Sequence, residues 1–311
     1  MNSLPSIRQL RHLVTLSETG HFGRAASRCH VTQSTLSASI KELEQLLEAS
    51  LVDRTKRRVV LTPLGQEIVE RARRVLTETE ALAATARATH EPLTGTLRMG
   101  AIPTIGPYLL PKVLPGLRRA YRGLKLYLVE DLTERLVEQL QQGKLDVVLL
   151  ALPCDCGPAE TEVLFEDPFL AALPRGHPLA SERQVRPEQL RAEELLLLKD
   201  GHCLRGHALA ACGLADRRRT EEIEATSLTT LVQMVDNGLG TTLLPQLAVK
   251  AGLARGTGLA LRPIAGKEAG REIGLAWRRG TGRRAEFLLL AKELRERARP
   301  LLANARERSR P

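Results

Sequence analysis

The chain reads as an α/β protein: a helical, basic N-terminal module, a long connecting helix, then a domain of alternating strands and helices. Three observations predict this. Apolar residues recur at three- and four-residue spacing through the N-terminal segment. No Gly or Pro interrupts residues 66–91. From Leu97 onward short apolar runs alternate with amphipathic stretches, the pattern of βαβ units. A length of 311 residues predicts two or three domains. With 43% hydrophobic and 26% charged residues the composition is that of a globular protein, which excludes wholesale disorder. No apolar run approaches the roughly 20 residues of a membrane span. The start Met1-Asn2-Ser3-Leu4-Pro5 lacks the basic and apolar regions of a secretory signal, so a soluble, cytoplasmic protein is expected. Five cysteines, an odd number, argue against a secreted disulfide framework.

The net charge of +10 is uneven. Residues 1–60 hold nine Lys/Arg against five Asp/Glu, and residues 281–311 nine against four, so the 220 residues between them are almost neutral. A basic terminal module suits an anionic partner, most simply nucleic acid; solvated surface charge gives the same balance. In the tail, Arg and Glu interleave at helical spacing from Lys292 to Arg310, which suits a solvated helical face.

In the N-terminal module, Ile7, Leu10, Leu13, Val14 and Leu16 mark a first helix ending near Gly20. Gly23–Cys29 fits a short second helix, with Ala25 and Ala26 allowing close packing. Thr32 is a good N-cap for a third helix running to Leu47, with Leu36, Ile40, Leu43 and Leu47 as its apolar stripe. Gln33, Ser34, Ser37 and Lys41 fall on a separate polar strip, taking about 100° per residue. Short hydrogen-bonding side chains followed by a lysine suit a recognition helix, Gln33 reading base edges and Lys41 a phosphate. Val52–Val60 reads as two strands around a basic turn, a wing whose Arg54, Arg57 and Arg58 would hold phosphates. Polar helical faces are common; the order helix–turn–helix–wing is the specific signal.

Thr62-Pro63 starts the connecting helix as N-cap and N1. Leu64, Ile68, Ala72, Val75, Thr79, Leu82 and Ala86 form a heptad-like seam, which would pack on its own domain or pair with a second subunit. Pro92 and Gly95 make a hinge. Beyond it, strands are expected at Leu97–Ile102, Leu124–Val129, Asp146–Leu152 and Gly240–Leu244. Helices are expected at Pro107–Leu117, Glu134–Gln142 and from Thr226-Ser227 to Asn237. This predicts a parallel sheet covered by helices, with ligands at the carboxyl ends of strands, near Pro103-Thr104-Ile105 and Asp131-Leu132-Thr133. Thr133 would also serve as a simple N-cap. No G-x-G-x-x-G, Walker A or nucleophile-elbow sequence is present.

Among the cysteines, Cys29 suits a small core residue. Cys154-Asp155-Cys156 lies in a turn before Gly157-Pro158, is a weak metal hint, and reads as incidental exposed thiols. Asp200 suits the cap of a helix with Cys203 in its first turn. The helix's positive end, with Lys199, His202 and Arg205 nearby, should favour a reactive thiolate. Cys212 sits in the apolar run Ala208-Leu209-Ala210-Ala211. On one helix, nine steps of 1.5 Å put the two about 13.5 Å apart on opposite faces, whereas a disulfide needs Cα atoms within about 7 Å. Bonding would therefore require unwinding, which the internal Gly206 eases; two unrelated thiols are the alternative.

The stretches Phe22-Gly23-Arg24-Ala25-Ala26, His30-Val31-Thr32-Gln33-Ser34-Thr35-Leu36-Ser37, Lys41-Glu42-Leu43-Glu44, Asp53-Arg54-Thr55 and Leu61-Thr62-Pro63-Leu64-Gly65 resemble the LysR family of bacterial transcription regulators. The resemblance runs the whole chain, although Ser34 stands where the family usually has Pro. It implies a winged helix-turn-helix DNA-binding domain (1–62) contacting DNA through Thr32, Gln33, Ser34, Thr35, Ser37, Lys41, Arg54, Arg57 and Arg58. It also implies a linker and dimerisation helix (63–92), a periplasmic-binding-protein-like regulatory domain of two Rossmann-like subdomains (93–300) and a basic tail (301–311). Implied partners are double-stranded promoter DNA, a dimer or tetramer of itself, and RNA polymerase. No cofactor, metal or membrane is implied.

Gly201-His202-Cys203-Leu204-Arg205 with a second cysteine nine residues on is similar to the peroxide-sensing branch of that family. So are Ile102-Pro103-Thr104-Ile105-Gly106-Pro107, Gly143-Lys144-Leu145-Asp146 and Ala225-Thr226-Ser227-Leu228. By that resemblance Cys203 is oxidised by H2O2 to a sulfenic acid and Cys212 resolves it as a disulfide, which cellular thiol reductants reset. Thr104, Thr133, His202, Arg205 and Arg278 match positions around the peroxide pocket. Gly206, where an acidic residue is frequent, and Val147, where some members have cysteine, are departures. The rival readings are a LysR-type regulator of a small metabolite with incidental cysteines, and a thiol peroxidase.

Overall fold

The computed structural model describes residues 4–55, 58–88, 93–190, 194–214, 225–266 and 269–302. They form two compact units, one of residues up to 89 and one comprising most of the remainder.

In the N-terminal unit, α1 (Ile7–Thr19) opens with a Ser6/Gln9 capping box and ends on Gly20, whose φ of 60° is the left-handed cap glycine favours. Next come α2 (Phe22–Arg28) and α3 (Gln33–Leu46), the latter capped by the Thr32 side chain accepting from the Thr35 N–H. Leu10, Leu13, Leu16, Ala25, Leu36, Ile40 and Leu43 close one core. Inside it His12 Nδ1 lies 2.8 Å from Ser39 Oγ, and burial with Arg8 and Arg11 nearby lowers the His12 pKa. The hairpin β1 (Val52–Thr55) and β2 (Arg58–Leu61) is antiparallel, and Glu44 Oε1 anchors it by accepting from the Leu51 and Val52 N–H groups. In α4 (Pro63–Ala88), Thr62 Oγ1 accepts from Gly65 N–H, and a Cβ at Gly65 would collide with the Leu51 carbonyl. The seam divides. Ile68 and Ala72 pack inward, whereas Leu64, Val75 and Leu82 are exposed.

The second unit is built on a seven-stranded sheet of order β4-β3-β5-β9-β6-β7, with β8 on β6. Strands β3 (Gly95–Ala101), β4 (Leu124–Glu130) and β5 (Val147–Leu152) are parallel, alternating with α5 (Gly106–Ala120) and α6 (Thr133–Gln141) as expected. The long β6 (Ala159–Leu173), β7 (Thr242–Pro245), β8 (Ala260–Pro263) and β9 (Gly270–Arg278) pair antiparallel, so the sheet is mixed and not parallel throughout. The chain returns through β6 and β9 as adjacent antiparallel neighbours and thereby joins two hydrophobic cores. The first gathers β3, β5, α5, α6 and α11 (Arg284–Leu302) around Trp277 and Phe287. The second gathers Phe169–Leu173, α8 (Cys203–Ala211), α9 (Leu228–Asp236) and α10 (Gln246–Lys250). A short α7 (Pro187–Leu190) contributes Leu190 to it. The helix α11 runs past the expected tail boundary at 301 to Leu302, and residues 303–311 of the basic tail lie outside the described residues.

Candidate functional site

Cys203 is the first residue of α8 and Cys212 the residue that closes it, so the helix spans the pair end to end. His202, not Asp200, occupies the N-cap, and its side chain makes no cap hydrogen bond. Asp200 instead pairs with Arg205, whose Nε lies 2.9 Å from Asp200 Oδ1. The two cysteines are not bonded to each other. Cys203 is half-buried against the first core, while Cys212 is fully buried in the second beside Leu204 and Ala208. Helix α8 thus bridges two cores.

Ile102, Pro103, Thr104, Leu132, Thr133, Gly201, His202 and Cys203 line one small recess. As it stands the recess has no room for a water molecule, so a small occupant enters only if its walls move apart. Strands β3 and β4 end here and the N-termini of α6 and α8 open here, as the carboxyl-end rule for such sheets requires. Positive helix ends facing one recess favour an anion or an electron-rich oxygen.

Two hydroxyls differ in how they are held. Thr133 is the first residue of α6; its buried Oγ1 has no hydrogen-bond partner, so it is not the simple cap it resembled. Thr104 is 2% exposed, and its Oγ1 accepts from Arg271 Nη1 at 2.8 Å. Arg271 Nη2 also donates to the Thr104 carbonyl at 3.0 Å. The same guanidinium meets Asp167 Oδ2 through Nε (3.2 Å) and Nη2 (3.1 Å), both side chains being fully buried. Asp167 Oδ1 accepts from Leu247 N–H. Burial pushes the Asp167 carboxyl up, and Arg271 and the Leu247 amide oppose it. Asp167 and Arg271 are register partners where β6 and β9 pass between the cores.

Residues close in sequence to Cys203 do not all reach the recess. Burial lowers the His202 pKa, so at neutral pH it adds polarity but no positive charge, contrary to the expectation for it. Arg205 is not among the recess-lining residues and faces Asp200. Arg278 is likewise absent from the lining; its Nη1 donates to the Leu140 and Leu145 carbonyls, both at 2.7 Å, tying down the end of α6. Cys154 and Cys156 are not two exposed thiols: they are joined, and Cys156 is 5% exposed.

The sequence reading missed Asp167, Arg271 and His207. A signal existed for the first two: each sits at an inward position of an alternating strand, and opposite charges inside apolar strands imply a buried pair. His207 lies one turn after Cys203, and burial with Arg271 nearby lowers its pKa despite the opposing backbone groups of Cys203 and Leu152.

In the N-terminal unit, Thr32 Oγ1 lies within 2.9 Å of Ser34 Oγ and 2.7 Å of Thr35 Oγ1, a hydroxyl cluster at the start of α3. Gln33, Ser34, Thr35 and Lys41 are exposed and Ser37 half-buried. Arg57 and the side chains of Arg54 and Arg58 lie outside the described residues.

Two family models match the chain: a bacterial regulatory helix-turn-helix protein of the lysR family over residues 7–66, and a LysR substrate binding domain over residues 90–299. OxyR of Escherichia coli, a DNA-binding transcriptional dual regulator, is 42% identical over 94% of this chain and 95% of its own. A full-length OxyR variant from Pseudomonas aeruginosa has a TM-score of 0.79 at 36% identity, covering 96% of this chain and 98% of its own. A hydrogen-peroxide-bound OxyR mutant from Corynebacterium glutamicum has a TM-score of 0.68 at 32% identity, covering 100% and 98%. With a helix-turn-helix unit, a two-core α/β unit and matches along nearly its whole length, the chain belongs to the LysR family of transcription regulators, in its OxyR branch.

Proposed function

We propose that this regulator senses hydrogen peroxide through Cys203 and Cys212 and activates antioxidant genes. The observation that carries the reading is the recess itself: a half-buried thiol faces an unpartnered Thr133 hydroxyl and a Thr104 hydroxyl oriented by Arg271. The Cys203 thiolate attacks one peroxide oxygen, the O–O bond breaks, and the departing oxygen takes a proton as water, leaving Cys203 as sulfenic acid. Thr104 and Thr133 supply hydrogen bonds to the two oxygens, with His202 beside them. The Cys212 thiol then displaces hydroxide from sulfur, which leaves with the thiol proton as a second water, and the disulfide forms. That step needs α8 to unwind and Cys212 to leave the second core, and the rearrangement is the signal.

The output is DNA binding, not turnover: one peroxide is consumed per disulfide and thiol reductants reset it. Domain limits of 1–62, 63–92 and 93–300 suit this division, followed by the basic tail. Thr32, Gln33, Ser34, Thr35, Ser37 and Lys41 on α3, with Arg54, Arg57 and Arg58 on the wing, engage promoter DNA. The exposed Leu64, Val75 and Leu82 pair α4 with a second subunit on the way to a tetramer that contacts RNA polymerase in the cytoplasm. Among the described residues no helix is long and apolar enough to cross a membrane.

A second cavity of about 570 Å3, lined in part by Phe169, Leu170, Ile264 and His207, favours one other reading, a regulator of a small metabolite. A peroxide titration of reduced protein separates the two, with Cys203–Cys212 linkage followed by mass spectrometry beside promoter footprinting. Linkage at stoichiometric peroxide with a footprint change supports peroxide sensing. A Cys203→Ser protein whose footprint still responds to peroxide overturns it.

A further inference from the structure

The Cys-Asp-Cys motif has no part in the Cys203–Cys212 chemistry, yet the structure gives it a definite form. It follows β5 directly, after Pro153, with its Cα atoms 5.3 Å apart, inside the span a disulfide requires. The two sulfurs are joined. Their surroundings are unequal: Cys156 is buried in the first core, whereas Cys154 is half-exposed and packs against that core from outside. Among the described residues no group of three or more His, Cys, Asp or Glu is placed to hold a metal ion.

We propose that Cys154 and Cys156 form a second redox couple, which exchanges with low-molecular-weight disulfides. Cys154 is the sulfur open to attack. Its thiolate displaces one thiolate from a small disulfide and forms a mixed disulfide. Cys156, held beside it, loses its proton and displaces the second thiolate, closing the Cys154–Cys156 bond. Two electrons pass from the dithiol to the small disulfide, which leaves as two thiols; the reverse sequence opens the bond. A buried partner fixed at bonding distance makes closure intramolecular, so the mixed disulfide is short-lived. No oxygen chemistry is involved. The chain would therefore read the thiol–disulfide balance at this turn separately from peroxide at Cys203. The turn also adjoins Leu152, whose backbone faces the His207 ring on α8, so the couple lies next to the switch helix.

Trypsin separates the two couples: cleavage after Lys144 and Arg175 leaves Cys154 and Cys156 in one peptide, while Cys203 and Cys212 fall in two others. The full-length protein is equilibrated in reduced and oxidised glutathione mixtures without peroxide, alkylated and digested. The expected result is that the 145–175 peptide passes from doubly alkylated to an unalkylated internal disulfide as the mixture is made more oxidising. A Cys156→Ser protein should instead accumulate glutathione on Cys154. The proposal is overturned if both thiols remain alkylated in fully oxidised glutathione, or if Cys156→Ser captures no glutathione. It is also overturned if the peptide oxidises only when peroxide has linked Cys203 to Cys212.

Discussion

Replacing Gly206 with alanine tests whether α8 must unwind for the switch to close. Gly206 lies within α8, three residues after Cys203; it is exposed, and a Cβ there would meet nothing within 4 Å. Its φ is not among the positive ones, so alanine enters without strain. A glycine inside a helix costs about 1 kcal/mol relative to alanine. If the disulfide form has lost this helix, the gain falls on the reduced form alone. For a two-electron couple about 1.4 kcal/mol corresponds to 30 mV, so the Cys203–Cys212 potential should become more positive by about 20 mV, a roughly fivefold easier reduction. The assay is equilibration in dithiol–disulfide buffers with quantitation of the linked 200–205 and 206–217 peptides. A shift below about 5 mV, or one toward more negative potential, would show that α8 survives in the oxidised form.

Thr133→Val removes a buried hydroxyl without a partner, so the melting temperature should hold or rise. The rate of sulfenic acid formation by stopped flow should nonetheless fall roughly tenfold or more, the worth of one hydrogen bond to a charged group; an unchanged rate removes Thr133 from the site. For His202 and His207 the folded pKa lies below the ordinary 6.5, so the unfolded chain binds more protons just below that value. Urea stability should therefore be level above pH 6.5 and decline as pH falls through the lowered folded values. A His202 or His207 ring that NMR finds titrating at or above 6.5 in the folded protein contradicts the burial argument. On operator DNA, Lys41→Ala should weaken binding about equally across sequences and reduce the salt slope by about 1. Gln33→Ala should instead cost about 1–3 kcal/mol and relax discrimination at one base pair, and exchanged phenotypes would reverse the assignment.

What the sequence made legible was whatever is written locally. Thr32 before an apolar stripe, Gly20 after one, and Thr62-Pro63 at a helix start encode their caps in neighbouring residues, and the helices begin and end there. The alternation from Leu97 placed β3, β4 and β5 correctly, because each βαβ unit is a short-range pattern. The antiparallel return of β9 between β5 and β6 was not legible, since it pairs residues more than 100 positions apart. The recess follows the same division. Thr104, Thr133, His202 and Cys203 come together because strand ends and helix starts converge by rule. Arg271 reaches Thr104 across 167 positions, which no local spacing could show. Arg205 and Arg278 were placed by proximity in sequence and by analogy of position, and each has a nearer partner, Asp200 for one and the Leu140 and Leu145 carbonyls for the other.

Because Cys203 rests on one core and Cys212 lies inside the other, packing in the second core sets the threshold of the switch. Leu204, 2% exposed, is the largest side chain that α8 seats there. Closing the disulfide means withdrawing it together with Cys212, and Leu→Ala in a core typically costs 2–5 kcal/mol. Leu204→Ala therefore removes part of what holds the reduced form. Taking about 2–3 kcal/mol as the share lost by the reduced form alone, the potential should become more negative by about 40–60 mV. That sign is opposite to the one expected for Gly206→Ala, although both substitutions lie on the same helix and neither changes a cysteine. Equilibration in dithiol–disulfide buffers reads both, and a melting curve of the reduced Leu204→Ala protein establishes that it remains folded. If the two shifts share a sign, Cys212 does not leave the second core when it bonds, and the two cores cannot be what resists closure.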